Sequence, residues 1–288
     1  MTFPISFPPQ HQDQHPGFEY AMLPLPVYDD DRFVAKGNLL HNKVALITGG
    51  DSGIGRAVAI AFAKQGAHIA IAYYNEHKDA DTVREMIESL GKKCLLIPTD
   101  LTVKSECESV VSKVIHHFNK LDILVNNAAV QYETQKLEFI SENQFDKTFK
   151  TNVYGTFYMT QAALPHLQSG ASIINTTSVV AFHGNETLID YSMTKGALVA
   201  FTRSLATSLA KSKSGIRVNA VAPGPIWTPL IPSSFSEEKV AQFGADTPMG
   251  RAGQPVECSG AYVFLASDAA SYITGQTIHI NGGEIVNA

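Results

Sequence analysis

Cysteine is scarce and scattered: Cys94, Cys107 and Cys258 are the only three in 288 residues. An odd, widely spaced set makes no disulfide framework and points to a reducing, cytoplasmic setting. No apolar run reaches the ~18 residues that a membrane span requires. The first basic residue is Arg32, so the start lacks the basic n-region of a secretory signal. Positive charge is also in deficit, with 22 Lys and Arg against 27 Asp and Glu and a formal charge of −5. A broad face for nucleic acid or anionic lipid is normally basic, so neither nucleic acid nor membrane is expected as a partner. The ten histidines show no metal-ligand spacing, neither H-x-x-x-H on a helix nor a cluster with Cys, and no metal is expected.

What is present is ordinary globular material, 44% apolar and 17% charged, enough to bury a sizeable core. The length admits about two domains at ~150 residues each. Residues 1–42 read apart from the rest. They hold six of the 14 prolines (Pro4, Pro8, Pro9, Pro16, Pro24, Pro26) and show no helical or strand periodicity. This composition admits a disordered tail, yet Phe18, Tyr20, Met22, Leu23, Leu25, Val27, Tyr28 and Phe33 are unusually apolar for one. They favour a segment laid along a folded surface, its own or a neighbouring subunit's.

From Lys43 the pattern is regular. VALIT (44–48) is a short continuous apolar run, as in a strand covered on both faces. After a glycine-rich turn, apolar residues at 54, 57, 58, 61 and 62 take helical spacing, and Gly66 stops that helix. The alternation continues with strand 68–74, helix 79–90, strand 94–98, helix 103–118, strand 121–125, helices 141–150 and 152–168, and strand 171–177. Helix 190–211, strand 216–221, an irregular segment 223–250, helix 255–266 and strand 276–281 complete it. Ser141 and Gln144 have the spacing of a capping box. Alternating β and α elements with apolar strands predict an α/β fold: a single Rossmann-type doubly wound parallel sheet with helices on both faces. With no repeat and no second composition boundary, the expectation is an extension over 1–42 and one catalytic domain over 43–288.

The turn Thr48-Gly49-Gly50-Asp51-Ser52-Gly53-Ile54-Gly55 lies between the first strand and helix. Gly49 permits a tight turn, Gly53 lets backbone approach a pyrophosphate, and Gly55 allows close helix–strand packing. The free N–H groups and the positive end of the helix then suit phosphates. Farther on, Tyr191 and Lys195 lie four apart and share one helix face. An ammonium one turn away favours the phenolate and lowers its pKa from about 10. The tyrosine can then exchange a proton with a carbonyl or alcohol oxygen. Ser178 closes the apolar run SIINTTS, where a hydroxyl projects into the crevice.

The T-G-x-x-x-G-x-G spacing, Asn126-Asn127-Ala128-Ala129, Ser178, Tyr191-Ser192-Met193-Thr194-Lys195 and Pro223-Gly224 occur in this order. Together they resemble the short-chain dehydrogenase/reductase family over about 43–283. Ala129 stands where that family usually has glycine. The resemblance implies a catalytic set of Asn152, Ser178, Tyr191 and Lys195. Ser178 would orient the substrate oxygen, Lys195 would hold the nicotinamide ribose, and Asn152 would anchor a water leading to the lysine. It implies cofactor contacts from Gly49, Asp51, Ser52, Gly53, Ile54, Gly55, Tyr73, Asp100, Leu101, Asn127, Ala128, Tyr191, Lys195, Pro223, Gly224, Ile226 and Thr228. Asp100 alternatively caps the following helix, and Asn126 is read as supporting the sheet.

After the second strand, Tyr73-Tyr74-Asn75-Glu76 carries neither an acidic residue for the adenine ribose nor a basic one for a 2′-phosphate. NAD or NADP is admitted, and Asp51, which would repel a 2′-phosphate, tilts the expectation to NAD. Residues 223–250 match the family's substrate lid. Within it Trp227, the only tryptophan, either closes over substrate or anchors the lid. His183-Gly184-Asn185-Glu186 offers polar contacts to a hydroxylated substrate, or is plain solvated loop.

The start, with Pro16-Gly17-Phe18-Glu19-Tyr20-Ala21-Met22, looks like the glucose/ribitol dehydrogenase-like branch. That implies a homotetramer and a small-molecule polyol, aldose or small carbonyl substrate. Two alternatives stand beside this NAD(P)-dependent oxidoreductase: a 3-oxoacyl-carrier-protein reductase, and a cofactor-binding stress protein with little turnover. Against the first, residues 223–250 offer only Lys239 near Glu237, Glu238 and Asp246.

Overall fold

The computed structural model describes residues 3–286. Its main elements run β1 (Val44–Thr48), α1 (Gly53–Lys64), β2 (His68–Tyr73), α2 (His77–Ser89), β3 (Cys94–Pro98), α3 (Lys104–Phe118), β4 (Leu121–Asn126) and α4 (Glu142–Phe149). They continue with α5 (Gly155–Ala163), β5 (Leu167–Thr176), α6 (Val180–His183), α7 (Ile189–Lys211), β6 (Arg217–Pro223), α8 (Glu237–Ala241), α9 (Pro255–Ala266) and β7 (Thr277–Ile280).

The strands are continuous apolar runs because both their faces are covered. In β1, Ala45 and Ile47 enter one core layer while Val44 and Leu46 enter the other; in β2, Ile69 and Ile71 oppose Ala70 and Ala72 in the same way. Helices α1, α2 and α9 cover the first face with Val58, Phe62, Val83, Ile87 and Tyr262. Helices α3, α5 and α7 cover the second with Val110, Val114, Met159, Ala206 and Leu209. The sheet is wholly parallel, in the order β3-β2-β1-β4-β5-β6-β7. Chain direction across the sheet reverses between β1 and β4, so a crevice opens beyond their carboxyl ends. This is the expected doubly wound Rossmann-type architecture.

Local departures have physical causes. The helix expected over 152–168 ends at Ala163, where Pro165 sits in a single 3-10 turn, Leu164–His166. The chain then enters β5 at Leu167, which pairs with Leu121, four residues before the expected strand start. Ser141 Oγ accepts the Gln144 N–H at 3.1 Å, but the Gln144 side chain turns to Thr134 and Asp190, leaving half a capping box. A full box forms at Gln254 and Glu257 ahead of α9. Segment 223–250 is not wholly irregular, since it contains α8 and Ile226 bridges to Gly253.

The extension packs on its own chain, one of the two surfaces expected for it. Phe7, Met22, Val34 and Leu40 are buried. Phe7 stacks on Trp227 with ring centroids 3.8 Å apart and planes 10° from parallel. The Val27 N–H donates to Gln254 Oε1 at 2.8 Å, and the Val256 N–H returns a bond to Val27 O at 3.0 Å. At the last residue of α1, Lys64 pairs with Asp29 and, at 2.7 Å, with Asp31. Proline removes donors from much of this segment, so side chains of the folded body supply many of its hydrogen bonds.

Candidate active site

A cleft of about 920 Å³ opens where β1, β2, β4, β5 and β6 end. Its volume lies in the upper range for small-molecule and cofactor sites. The expected residues Gly49, Asp51, Ser52, Gly53, Ile54, Tyr73, Asp100, Leu101, Asn127 and Ala128 line it, as do Ser178, Tyr191, Lys195, Pro223, Gly224, Ile226 and Thr228. Gly55 and Asn152 stand behind its wall.

The glycine turn is built by conformation and by close approach. Gly49 and Gly53 have φ of +62° and +52°, the left-handed region that favours glycine. A Cβ on Gly53 would lie 3.0 Å from Thr228 Cγ2, so this position gives room to the lid as well as to a ligand. Gly55 is a packing position: a Cβ there would sit 1.9 Å from Gly49 O. The Asn127 side chain clamps the turn, donating to Gly49 O at 3.0 Å and Thr48 O at 3.2 Å. Thr48 Oγ1 accepts the N–H groups of Asn127 and Ala128 at 2.9 and 3.1 Å. Gly53 opens α1, whose first amides have no partner within the helix.

Ser178 follows β5, and α7 carries Tyr191 and Lys195 one turn apart, so the three side chains meet on one wall. Ser178 lies beside the Tyr191 phenol and favours its ionised form. Lys195 Nζ donates to Thr176 O at 2.8 Å and lies 5.4 Å from the Tyr191 ring centroid. Burial dominates both titrations. It pushes the Tyr191 phenol up to about 12 against the influence of Ser178, and it pushes the Lys195 ammonium down to about 7. Burial moves the phenol in the direction opposite to the lowering expected from the lysine.

Asn152 is fully buried in a π-helical turn, Lys150–Tyr154, between α4 and α5. Such turns recur at functional sites. Its amide exchanges bonds of 2.8 and 2.9 Å with the Val130 backbone and donates to Thr194 Oγ1 at 3.1 Å. Asn126 ties the sheet to α5 and β5 through Thr160 Oγ1 at 3.0 Å and Asn175 Oδ1 at 2.9 Å. Asp100 does not cap α3, because the residue before that helix is Val103. Asp100 Oδ1 instead accepts the N–H and hydroxyl of Thr102 at 2.9 and 2.7 Å in a local turn.

Asp51 differs most from its expected role. Its carboxyl is 4% exposed, and burial together with nearby Glu76 pushes it up to about 7. A largely buried group that is neutral over part of the physiological range repels a 2′-phosphate weakly. The preference for NAD drawn from it loses its physical basis.

Trp227 is fully buried outside the cleft lining, held by the Phe7 stack and by its Nε1–H to Pro24 O at 2.9 Å. It anchors the lid and does not close over the cleft. His183, Asn185 and Glu186 do line the cleft. So do His15, Pro16 and Gly17 of the extension, which sequence reasoning left outside the site. A Cβ on Gly17 would lie 2.6 Å from Pro229 O, a close approach of extension to lid. His15 Nδ1 lies 3.1 Å from Ser233 Oγ, and burial pushes its imidazole down to about 4. Pro16-Gly17-Phe18-Glu19 marks the segment, but sequence alone gives no distance between residue 17 and residue 229. Among the described residues no cluster of His, Cys, Asp or Glu is placed to hold a metal ion, and no helix is long and apolar enough to cross a membrane.

A doubly wound sheet with a glycine turn after β1 and a Ser–Tyr–Lys wall at its switch point defines an oxidoreductase of the Rossmann type. The chain belongs to the short-chain dehydrogenase/reductase family. Residues 49–284 match the family model described as enoyl-(acyl carrier protein) reductase. The uncharacterized oxidoreductase YhdF of Bacillus subtilis is 60% identical over 97% of this chain and 96% of its own. The chloroplastic NADPH-dependent aldehyde reductase 1 of Arabidopsis thaliana is 50% identical over 97% and 98%. The glucose and ribitol dehydrogenase of Daucus carota is 50% identical over 98% of each, which places this chain close to the glucose/ribitol dehydrogenase-like branch. Among solved structures, a Burkholderia cenocepacia short chain dehydrogenase in complex with NADP superposes with a TM-score of 0.80, at 31% identity over 85% of this chain and 99% of that one. A 3-ketoacyl-(acyl-carrier-protein) reductase from Brucella melitensis complexed with NADH gives 0.78, at 33% identity over 86% and 100%.

Proposed function

We propose that the protein transfers a hydride between a nicotinamide dinucleotide and the carbinol or carbonyl carbon of a small polyol, aldose, aldehyde or ketone. The observation that carries this reading is the convergence of Ser178, Tyr191 and Lys195 on the cleft wall beside the glycine turn. The turn suits a dinucleotide: positive φ at Gly49 and Gly53 frees backbone for close approach, and the first turn of α1 offers unpaired N–H groups to a pyrophosphate. When bound, the nicotinamide supplies or accepts the hydride.

The chain supplies position and the proton. Ser178 and the Tyr191 phenol bracket the substrate oxygen. In the reductive direction Tyr191 donates its proton to that oxygen, a role suited to a phenol that burial keeps protonated. In the oxidative direction it would take the proton back, and the positive charge of an oxidised nicotinamide, when bound, would favour the phenolate. Lys195 holds the ribose end, and Asn152 fixes the Val130 backbone and Thr194, the neighbour of Lys195. Residues 43–288 form the catalytic unit, with residues 1–42 as its extension; a homotetramer in the cytoplasm is the assembly and setting this reading favours.

Both NAD and NADP are accepted on this reading. The buried Asp51 bars neither, Tyr73–Glu76 commits to neither, and relatives are named with NADPH, NADP and NADH. Carrier-protein docking is disfavoured because the basic residue of the lid, Lys239, is already paired with Glu133. A panel of sugars, polyols, aldehydes and small ketones, each assayed with both cofactors, tests the proposal. Turnover of one of these classes is expected. Preference for acyl thioesters over all of them would overturn it.

A further inference from the structure

Beneath the glycine turn, three side chains from three parts of the chain share one buried site. Glu19 comes from the extension, Arg56 from α1 and Asp79 from α2; each is at most 4% exposed. The Gly53 N–H, first amide of α1, donates to Glu19 Oε2 at 2.5 Å. Arg56 pairs directly with Glu19 and reaches Asp79 Oδ1 at 3.0 Å, while its Nε donates to the backbone oxygen of Asp51 at 3.0 Å. The Tyr28 ring, also from the extension, lies 5.1 Å from the Arg56 guanidinium carbon. The Glu19 N–H closes the ring by donating to Asp79 Oδ2 at 2.9 Å.

We propose that Glu19 is a positioning residue for dinucleotide binding: from outside the cleft it holds the glycine turn in the shape that accepts the phosphates. This rests on the cofactor reading above. Glu19, Arg56 and Asp79 do not line the cleft, so they act through the turn and not on the ligand. The geometry assigns the role for two reasons. First, Gly53 sits at φ +52° between the cleft and Glu19, so its peptide orientation is set by the bond that Glu19 accepts. Secondly, Glu19 engages that one amide and leaves the following first-turn amides, Ile54 and Gly55, without a partner inside the helix. Removing the carboxylate leaves a buried N–H unpaired and gives Arg56 one acid fewer. The turn must then be ordered by the dinucleotide itself, at the expense of affinity.

Full-length Glu19→Gln and Glu19→Ala are titrated with NADPH and NADH by nicotinamide fluorescence, alongside kcat and Tm. The control is Asp29→Asn/Asp31→Asn, which loosens the extension at Lys64, eleven residues along α1 and about 16 Å from Gly53. The Glu19 variants are expected to raise cofactor Kd and KM about tenfold or more, with kcat at saturating cofactor nearly unchanged. The control is expected to lower Tm with no change in Kd. Wild-type Kd in both Glu19 variants, or an equal rise in the control, would overturn the proposal. If wild type binds neither dinucleotide, the cofactor reading fails first and this inference falls with it.

Discussion

Tyr191→Phe lowers kcat by about three orders of magnitude while cofactor affinity stays within about twofold of wild type, the pattern of a group that acts in the transition state alone. The substitution removes one hydroxyl from a buried ring and leaves its packing against Val179, Val180 and Leu188 in place. The lost atom is the proposed proton donor, while the glycine turn, on other elements, is untouched. Steady-state kinetics with a fluorescence titration of the cofactor check both halves. A modest loss of kcat, or a parallel loss of cofactor affinity, would show that the phenol is structural.

Gly55→Ala is the second large effect, and its sign runs against propensity. In a helix, alanine is normally about 1 kcal/mol better than glycine. At Gly55 the new methyl would lie 1.9 Å from Gly49 O and 2.8 Å from Asn127 Nδ2. The first neighbour is backbone and cannot rotate away, so either the turn after β1 or the start of α1 must move. The Asn127 clamp on Gly49 is lost with it. Cofactor affinity is expected to fall about 100-fold or more, a loss of roughly 3 kcal/mol, within the usual range for overpacking. Isothermal titration with either dinucleotide measures it, and near wild-type binding would show that the turn tolerates the shift.

Much of this was legible in the sequence, for identifiable reasons. The strands are apolar on both faces, and runs such as VALIT and HIAIAY carry that signal without neighbours. Tyr191 and Lys195 were legible as one helix face and Ser178 as a strand end, while their meeting followed from the family resemblance. Contacts between distant segments were not. Glu19 and Arg56 meet across 37 positions, and a buried ion pair leaves no period in the sequence. Arg56 reads as an ordinary helix residue until Glu19, Asp79 and Tyr28 surround it. Trp227 could not be placed until Phe7, 220 residues earlier, was seen stacked on it. Asp51 misled because its sequence position fixes proximity to the phosphate turn but not exposure, and exposure decides its charge. The early start of β5 at Leu167 was hidden because Gln168, Ser169 and Gly170 carry no strand signal of their own.

On the proposed reading, hydride moves directly between nicotinamide and a substrate carbon held against Ser178 and Tyr191. Its most direct test uses NADPH or NADH deuterated at the transferring position of C4, with a carbonyl substrate active in the panel and mass analysis of the alcohol formed. One deuterium is expected on the carbinol carbon for wild type, with negligible product for Tyr191→Phe. Product without deuterium, or deuterium appearing in water, would contradict it.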